Sequence, residues 1–98
     1  MARIELAEEI ADDFERILEH LLHHEAVDPT GRITEIMRAV DVLEFNPQIG
    51  RSVAGGLREL IIGRDANGYV ALYSYLPQID VVFVLAIRGQ REAGYARS

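Results

Sequence analysis

The 98-residue sequence has no cysteine, no lysine and no tryptophan, and only 3 prolines. Without cysteine there is no disulfide, no zinc–thiolate site and no thiol nucleophile. Without lysine, every side-chain cation is arginine or histidine. Arginine is a permanent cation and serves neither as acid nor as base near neutral pH. Long apolar runs are missing too: Ile79 to Ile87 is interrupted by Asp80 and is too short to cross a bilayer. The N-terminus is acidic, where a secretory signal would be basic and then apolar, so the expected compartment is the cytoplasm with no membrane attachment.

What is present fits one soluble domain over residues 1–98, with 49% hydrophobic and 27% charged residues. The net charge of −6 opposes direct nucleic-acid binding by the chain alone. The charge is unevenly spread. Residues 1–44 hold 12 acids and 4 arginines, whereas residues 45–98 hold 4 acids and 6 arginines.

Arg3 to Leu6 alternates briefly, as a short first strand would. From about Glu8, the residues Ile10, Phe14, Ile17, Leu18, Leu21 and Leu22 form one helical stripe. Asp28-Pro29 reads as an N-cap followed by proline in the first turn. A second stripe, Ile33, Ile36, Met37, Val40 and Leu43, ends before Asn46-Pro47. Three segments rich in β-branched and aromatic residues follow: Leu57–Ile62, Tyr69–Leu76 and Ile79–Arg88. Asn67-Gly68 and Leu76-Pro77-Gln78-Ile79 are turn sequences between them, and Gly55-Gly56 reads as a bend. The expected fold is α+β: a short N-terminal strand, then a helical hairpin packed on an antiparallel sheet of three to four strands.

One helical hairpin covers one side of a sheet. Placing the odd-numbered face, with Tyr69, Tyr73, Tyr75 and Phe83, under the helices leaves the even-numbered face open. That face holds Arg58, Leu60, Ile62, Arg64, Val70, Leu72, Ser74, Leu76, Val82, Val84, Ala86 and Arg88. Glu59 then falls on the covered side, where it fits poorly. An open apolar face of this size, edged by arginine, points to a partner.

The element order, the helix-ending Asn46-Pro47-Gln48-Ile49-Gly50-Arg51, the strand opening at Gly68-Tyr69 and the ending Ile87-Arg88-Gly89-Gln90-Arg91-Glu92 together resemble the RelE/ParE superfamily. These are toxins of bacterial type II toxin–antitoxin systems, and the resemblance runs from about Arg3 to Tyr95. It implies a cognate ParD-like antitoxin with a ribbon-helix-helix domain and an acidic C-terminal segment, in a hetero-oligomer with the toxin. The ParE-like branch implies growth inhibition through contact with DNA gyrase, a role in plasmid stabilisation, and neither catalytic residues nor a cofactor. On this reading Arg58, Leu60, Arg64, Leu72, Val82, Val84 and Arg88 meet the antitoxin, and Arg88, Arg91 and Tyr95 meet the target. The RelE-like branch implies a ribosome-dependent messenger endoribonuclease, for which Arg58, Arg88, Arg91 and Tyr95 are the candidates. That branch carries lysines on the strand matching Leu57–Ile62 and an arginine after the Gly-Tyr pair. This chain has a lone Arg58 and Val70 there, so cations remain without a proton shuttle. A binding remnant of the fold that has lost toxicity is the third reading.

Two further groups have plain explanations. His20, His23 and His24 beside Glu19 suit the negative end of a helix dipole, and no further donor in the sequence completes a metal site. Tyr69, Tyr73 and Tyr75 suit core packing.

Overall fold

The computed structural model describes residues 1–63 and 67–95. Its elements are β1 (Arg3–Leu6), α1 (Ile10–His23), α2 (Pro29–Asp41), β2 (Arg51–Ser52), β3 (Arg58–Ile62), β4 (Tyr69–Leu76) and β5 (Val81–Gly89), with 3-10 turns at Val42–Glu44 and Ala54–Gly56. Asp28 caps α2, its Oδ1 accepting from the Gly31 N–H at 3.2 Å, with Pro29 in the first turn. The turn after β4 is closed by the Ile79 N–H donating to the Leu76 carbonyl at 3.3 Å. Gly55 and Gly56 both have positive φ, as a bend there requires.

The sheet has five strands in the order β1-β5-β4-β3-β2. The expectation of an antiparallel sheet of three to four strands is corrected in two respects. β1 joins parallel to β5, making the sheet mixed, and the two-residue β2 adds to the far edge. A strand that short carries no readable alternation.

Cross-strand pairing fixes the faces, because directly opposed residues project to the same side. Leu60, Ala71 and Ile87 form one row; Arg58, Tyr73 and Val84 form another; Tyr75, Val82 and Ile4 a third. These rows pack against Ile10, Ile17 and Leu21 of α1 and Ile36 and Val40 of α2. The opposite face carries the rows Ile61–Val70–Arg88, Glu59–Leu72–Ala86, Ser74–Phe83–Glu5 and Leu76–Val81–Arg3. Both helices therefore lie on one side of the sheet, as expected, but the assignment of residues to sides is corrected. Val82 and Val84 are fully enclosed at 0% exposure, and Ile62 is buried with them. Leu60 is half-buried against the same core. Leu72 and Arg88 do lie on the side away from the helices.

Two features broke the parity. Ile62 pairs with Tyr69 across the β3–β4 connection, so even positions of β3 share a face with odd positions of β4. In β5 a bulge between the Tyr73–Val84 and Leu72–Ala86 pairs inserts a residue, so Val84 and Ile87 both face the helices.

The Asn46-Pro47-Gln48-Ile49-Gly50 segment is docked through Gly50. Its N–H donates to the Tyr73 hydroxyl at 2.8 Å. A Cβ at position 50 would come within 2.7 Å of Tyr73 Oη and 2.9 Å of the Glu59 carbonyl, so only glycine lets the loop approach this closely. Tyr73 is fully buried. Tyr73→Phe is expected to leave the Gly50 N–H unpaired and to cost about 1–3 kcal/mol in urea unfolding.

Candidate functional site

β5 ends where two polar clusters meet, one on each side of the sheet. On the helix side, β1 stops at Leu6, so the outer edge of β5 has no strand neighbour at Ile87. α1 supplies a substitute. Asp13 Oδ2 accepts from the Ile87 N–H at 3.0 Å, and Arg16 donates to the Ile87 carbonyl at 3.0 Å. Residues three apart on a helix share a face, so one carboxylate and one guanidinium together satisfy the backbone as a neighbouring strand would. They also bond each other at 2.9 Å, and Arg16 continues to Glu92 Oε1 at 3.0 Å. Glu92 Oε2 in turn accepts from the Gly89 N–H at 2.6 Å. The C-terminal segment is thereby tied to α1.

On the open side, Glu59 is buried at 8% exposure. Its Oε1 accepts from Arg51 Nε at 3.1 Å and Arg51 Nη2 at 2.8 Å. Its Oε2 accepts from the Tyr95 hydroxyl at 2.6 Å, with Arg88 Nη2 at 4.0 Å. The Arg88 guanidinium carbon lies 5.2 Å from the centre of the Tyr95 ring, in cation–π range. Arg88 Nη1 donates to the carbonyls of Gly89, Gln90 and Glu92, at 3.2, 3.4 and 3.3 Å, while its Nε is buried without a hydrogen-bond partner among the described residues. The Tyr95 hydrogen bond, then Arg51 and Arg88, hold the Glu59 carboxyl below the usual glutamate range against the opposing effect of burial. Burial, then the bond to Glu59 and its charge, push the Tyr95 phenol far above the ordinary tyrosine range. At neutral pH this is a carboxylate and a phenol locked together, with neither free to accept a proton.

The candidate residues are thus dispersed. Arg88 and Tyr95 come together, whereas Arg91 is exposed and faces the α1 side, near Arg16 and His20. Arg58 points to the other side: its Nη1 bonds the Gln48 and Gly50 carbonyls at 3.1 and 2.8 Å. The expectation that Arg58 and Arg88 edge one face is therefore corrected, because successive strand residues alternate and Arg58 opposes Tyr73. Arg64 lies outside the described residues. Leu72 and Phe83 are half-buried on the open side, with Ile61 and Leu76 exposed there and Val70 and Ala86 buried between.

Reasoning from the sequence missed Glu59, Arg51, Asp13 and Glu92 as site residues. Glu59 left a trace, as an acid in an apolar strand must find partners or remain neutral. Among the described residues no three histidines or acids converge into a metal-ligand cluster. His24 Nδ1 lies 2.9 Å from the His20 carbonyl, and the two rings are 4.2 Å apart.

Among solved structures, the chain is similar to one from the chromosomal ParDE toxin–antitoxin system of P. aeruginosa, with 20% identity and a TM-score of 0.75. That match covers 91% of this chain and 96% of the other. It is similar also to a chain of the archaeal RelE–RelB complex of Pyrococcus horikoshii OT3, with 15% identity, a TM-score of 0.60, and coverage of 94% and 98%. At these identities the likeness is one of fold. No curated protein sequence matches. The family model for the ParE toxin of the type II toxin–antitoxin system parDE matches residues 4–94, and with nearly the whole chain covered, the protein belongs to the ParE toxin family.

Proposed function

We propose that the protein is a cytoplasmic toxin, held silent by a cognate antitoxin, that when free arrests growth by binding DNA gyrase rather than by catalysis. The observation that carries this reading is the Glu59–Tyr95 pair. Cleavage of RNA by its own 2′-hydroxyl needs a base to take a proton and an acid to return one. The Tyr95 hydroxyl donates a hydrogen bond to Glu59 at 2.6 Å, and the phenol is pushed far from ionisation. Glu59 is held as a carboxylate and already accepts three bonds. Arg88 and Arg91 remain as permanent cations, suited to gripping carboxylates.

The antitoxin would lie on the open side of the sheet. Its apolar side chains would rest on Ile61, Leu72, Leu76 and Phe83, and its acids would meet Arg88 at the edge. Val82, Val84 and Leu60 drop out of that surface because the helices cover them. Arg88, Arg91 and Tyr95, at or beyond the end of β5, would form the target contact. The relatives described as ParDE and RelE–RelB assemblies support a partner of this kind.

The test is to add purified, antitoxin-free protein to a gyrase supercoiling reaction and to a coupled translation reaction. Loss of supercoiling with the message intact is expected. Message cleavage with normal supercoiling would assign a ribosome-dependent nuclease instead. Inertness in both would leave a binding remnant.

A further inference from the structure

On the helix side, away from the Glu59–Tyr95–Arg88 cluster, a cleft of roughly 710 Å³ opens between the end of α1, the first turn of α2, the start of β4 and the C-terminal segment. Ile17, Leu21, Ala26 and Tyr69 give it an apolar floor, and His20, His24, Arg32 and Arg91 stand around it. Among the described residues lining it, the one acid is Glu92. That carboxylate is already bonded by Arg16 at 3.0 Å and by the Gly89 N–H at 2.6 Å. Among the described residues the Arg32 guanidinium makes one long bond, 3.5 Å to the Asn67 carbonyl, and the Arg91 guanidinium makes no hydrogen bond or ion pair. A protein of net charge −6 therefore concentrates unspent cations at one concave, apolar-floored place.

We propose that this cleft binds a small organic polyanion with a flat apolar body, nucleoside polyphosphate being the chemical class. The volume is that of a small-molecule site, and an apolar floor with few convergent polar groups is the usual construction of one. Guanidinium forks bind phosphate oxygens in bidentate fashion. Two guanidinium groups match a polyphosphate better than a single carboxylate. The His20 and His24 rings, 4.2 Å apart, offer an aromatic surface for a base. The cleft walls are fixed: the Gln90 N–H donates to the Gly68 carbonyl at 3.0 Å, joining the C-terminal segment to the start of β4. The cleft shares Arg91 with the proposed target contact, but nucleotide binding to the isolated chain is read by calorimetry whether or not gyrase is inhibited.

Calorimetry of the full chain with ATP, adenosine and inorganic triphosphate tests it, with the fold of each variant checked by circular dichroism. ATP is expected to bind saturably and more tightly than either fragment. The double variant Arg32→Gln/Arg91→Gln is expected to bind ATP roughly tenfold or more weakly, as when charge-assisted bonds are removed. Arg38→Gln, an exposed site on α2 outside the cleft, is expected to leave binding unchanged. The ring resonances of His20 and His24 should shift on titration with ATP. Absence of saturable binding, or ATP binding unaltered in the double variant, would overturn the proposal. Inorganic triphosphate binding as tightly as ATP, or an acidic peptide occupying the cleft where ATP does not, would overturn the assigned class.

Discussion

Asp13→Ala is expected to destabilise the fold by about 3–5 kcal/mol, the usual loss when one partner of a buried ionic network is removed. Asp13 is 1% exposed. Its loss orphans the Ile87 N–H, a buried backbone donor with no strand beside it, and strips Arg16 of one of its two carboxylates. For a domain of this size the thermal midpoint should fall by roughly 15–30 °C. Asp13→Asn keeps an acceptor for Ile87 and should cost less, which separates the hydrogen bond from the charge. Urea unfolding with an unchanged m-value checks both. A loss below about 1 kcal/mol for the alanine variant would mean that α1 does not act as the missing strand.

Glu59→Ala is expected to cost about 2–3 kcal/mol. It removes the acceptor of Tyr95 and the counter-charge of Arg88, both shielded. Arg51 is largely exposed, so its bond contributes little after solvent screening. The pH dependence has a definite sign. The folded-state carboxyl of Glu59 titrates below its unfolded value of about 4.3, chiefly through Tyr95 and then Arg51 and Arg88. The stabilisation is therefore fully present above that unfolded value and is lost as pH falls through the lower, folded one. The difference in stability between wild type and Glu59→Gln should accordingly be constant from neutral pH down to about 5 and shrink in stronger acid. A difference that grows on acidification would contradict the assignment of Glu59 as an ionised acceptor.

Much of the fold was legible because its residues announce their period. The Ile10–Leu22 and Ile33–Leu43 stripes, the first of which ends on an exposed Leu22, the Asp28-Pro29 start and the Tyr69–Leu76 strand are each encoded within a few neighbours. The phase between strands is not encoded so locally. Which face Leu60 or Val82 takes depends on the length of the connection before Tyr69 and on the bulge opposite Leu72 and Tyr73. A one-residue change in either flips every side chain beyond it. Arg88, Arg91 and Tyr95 could be picked from the sequence because they follow an apolar strand abruptly. Asp13 and Arg16 could not, as on the helix surface they look like any other charged pair. Their role appears only once β1 ends at Leu6 and leaves the Ile87 backbone without a strand partner on that side. Glu59 stood out as misplaced, and its partner Tyr95 lies 36 residues away, a pairing that only the tertiary structure brings about.

The central claim is that the Glu59–Tyr95 pair is locked and does not carry protons near neutral pH. An ultraviolet titration of the tyrosine phenols, comparing wild type with Tyr95→Phe over the pH range in which both stay folded, tests it directly. The two curves should coincide, because the phenol that the variant lacks does not ionise in that range. A wild-type phenol, absent from Tyr95→Phe, that ionises near or below the ordinary tyrosine value of about 10 would contradict the account and return Tyr95 to the candidates for acid–base catalysis.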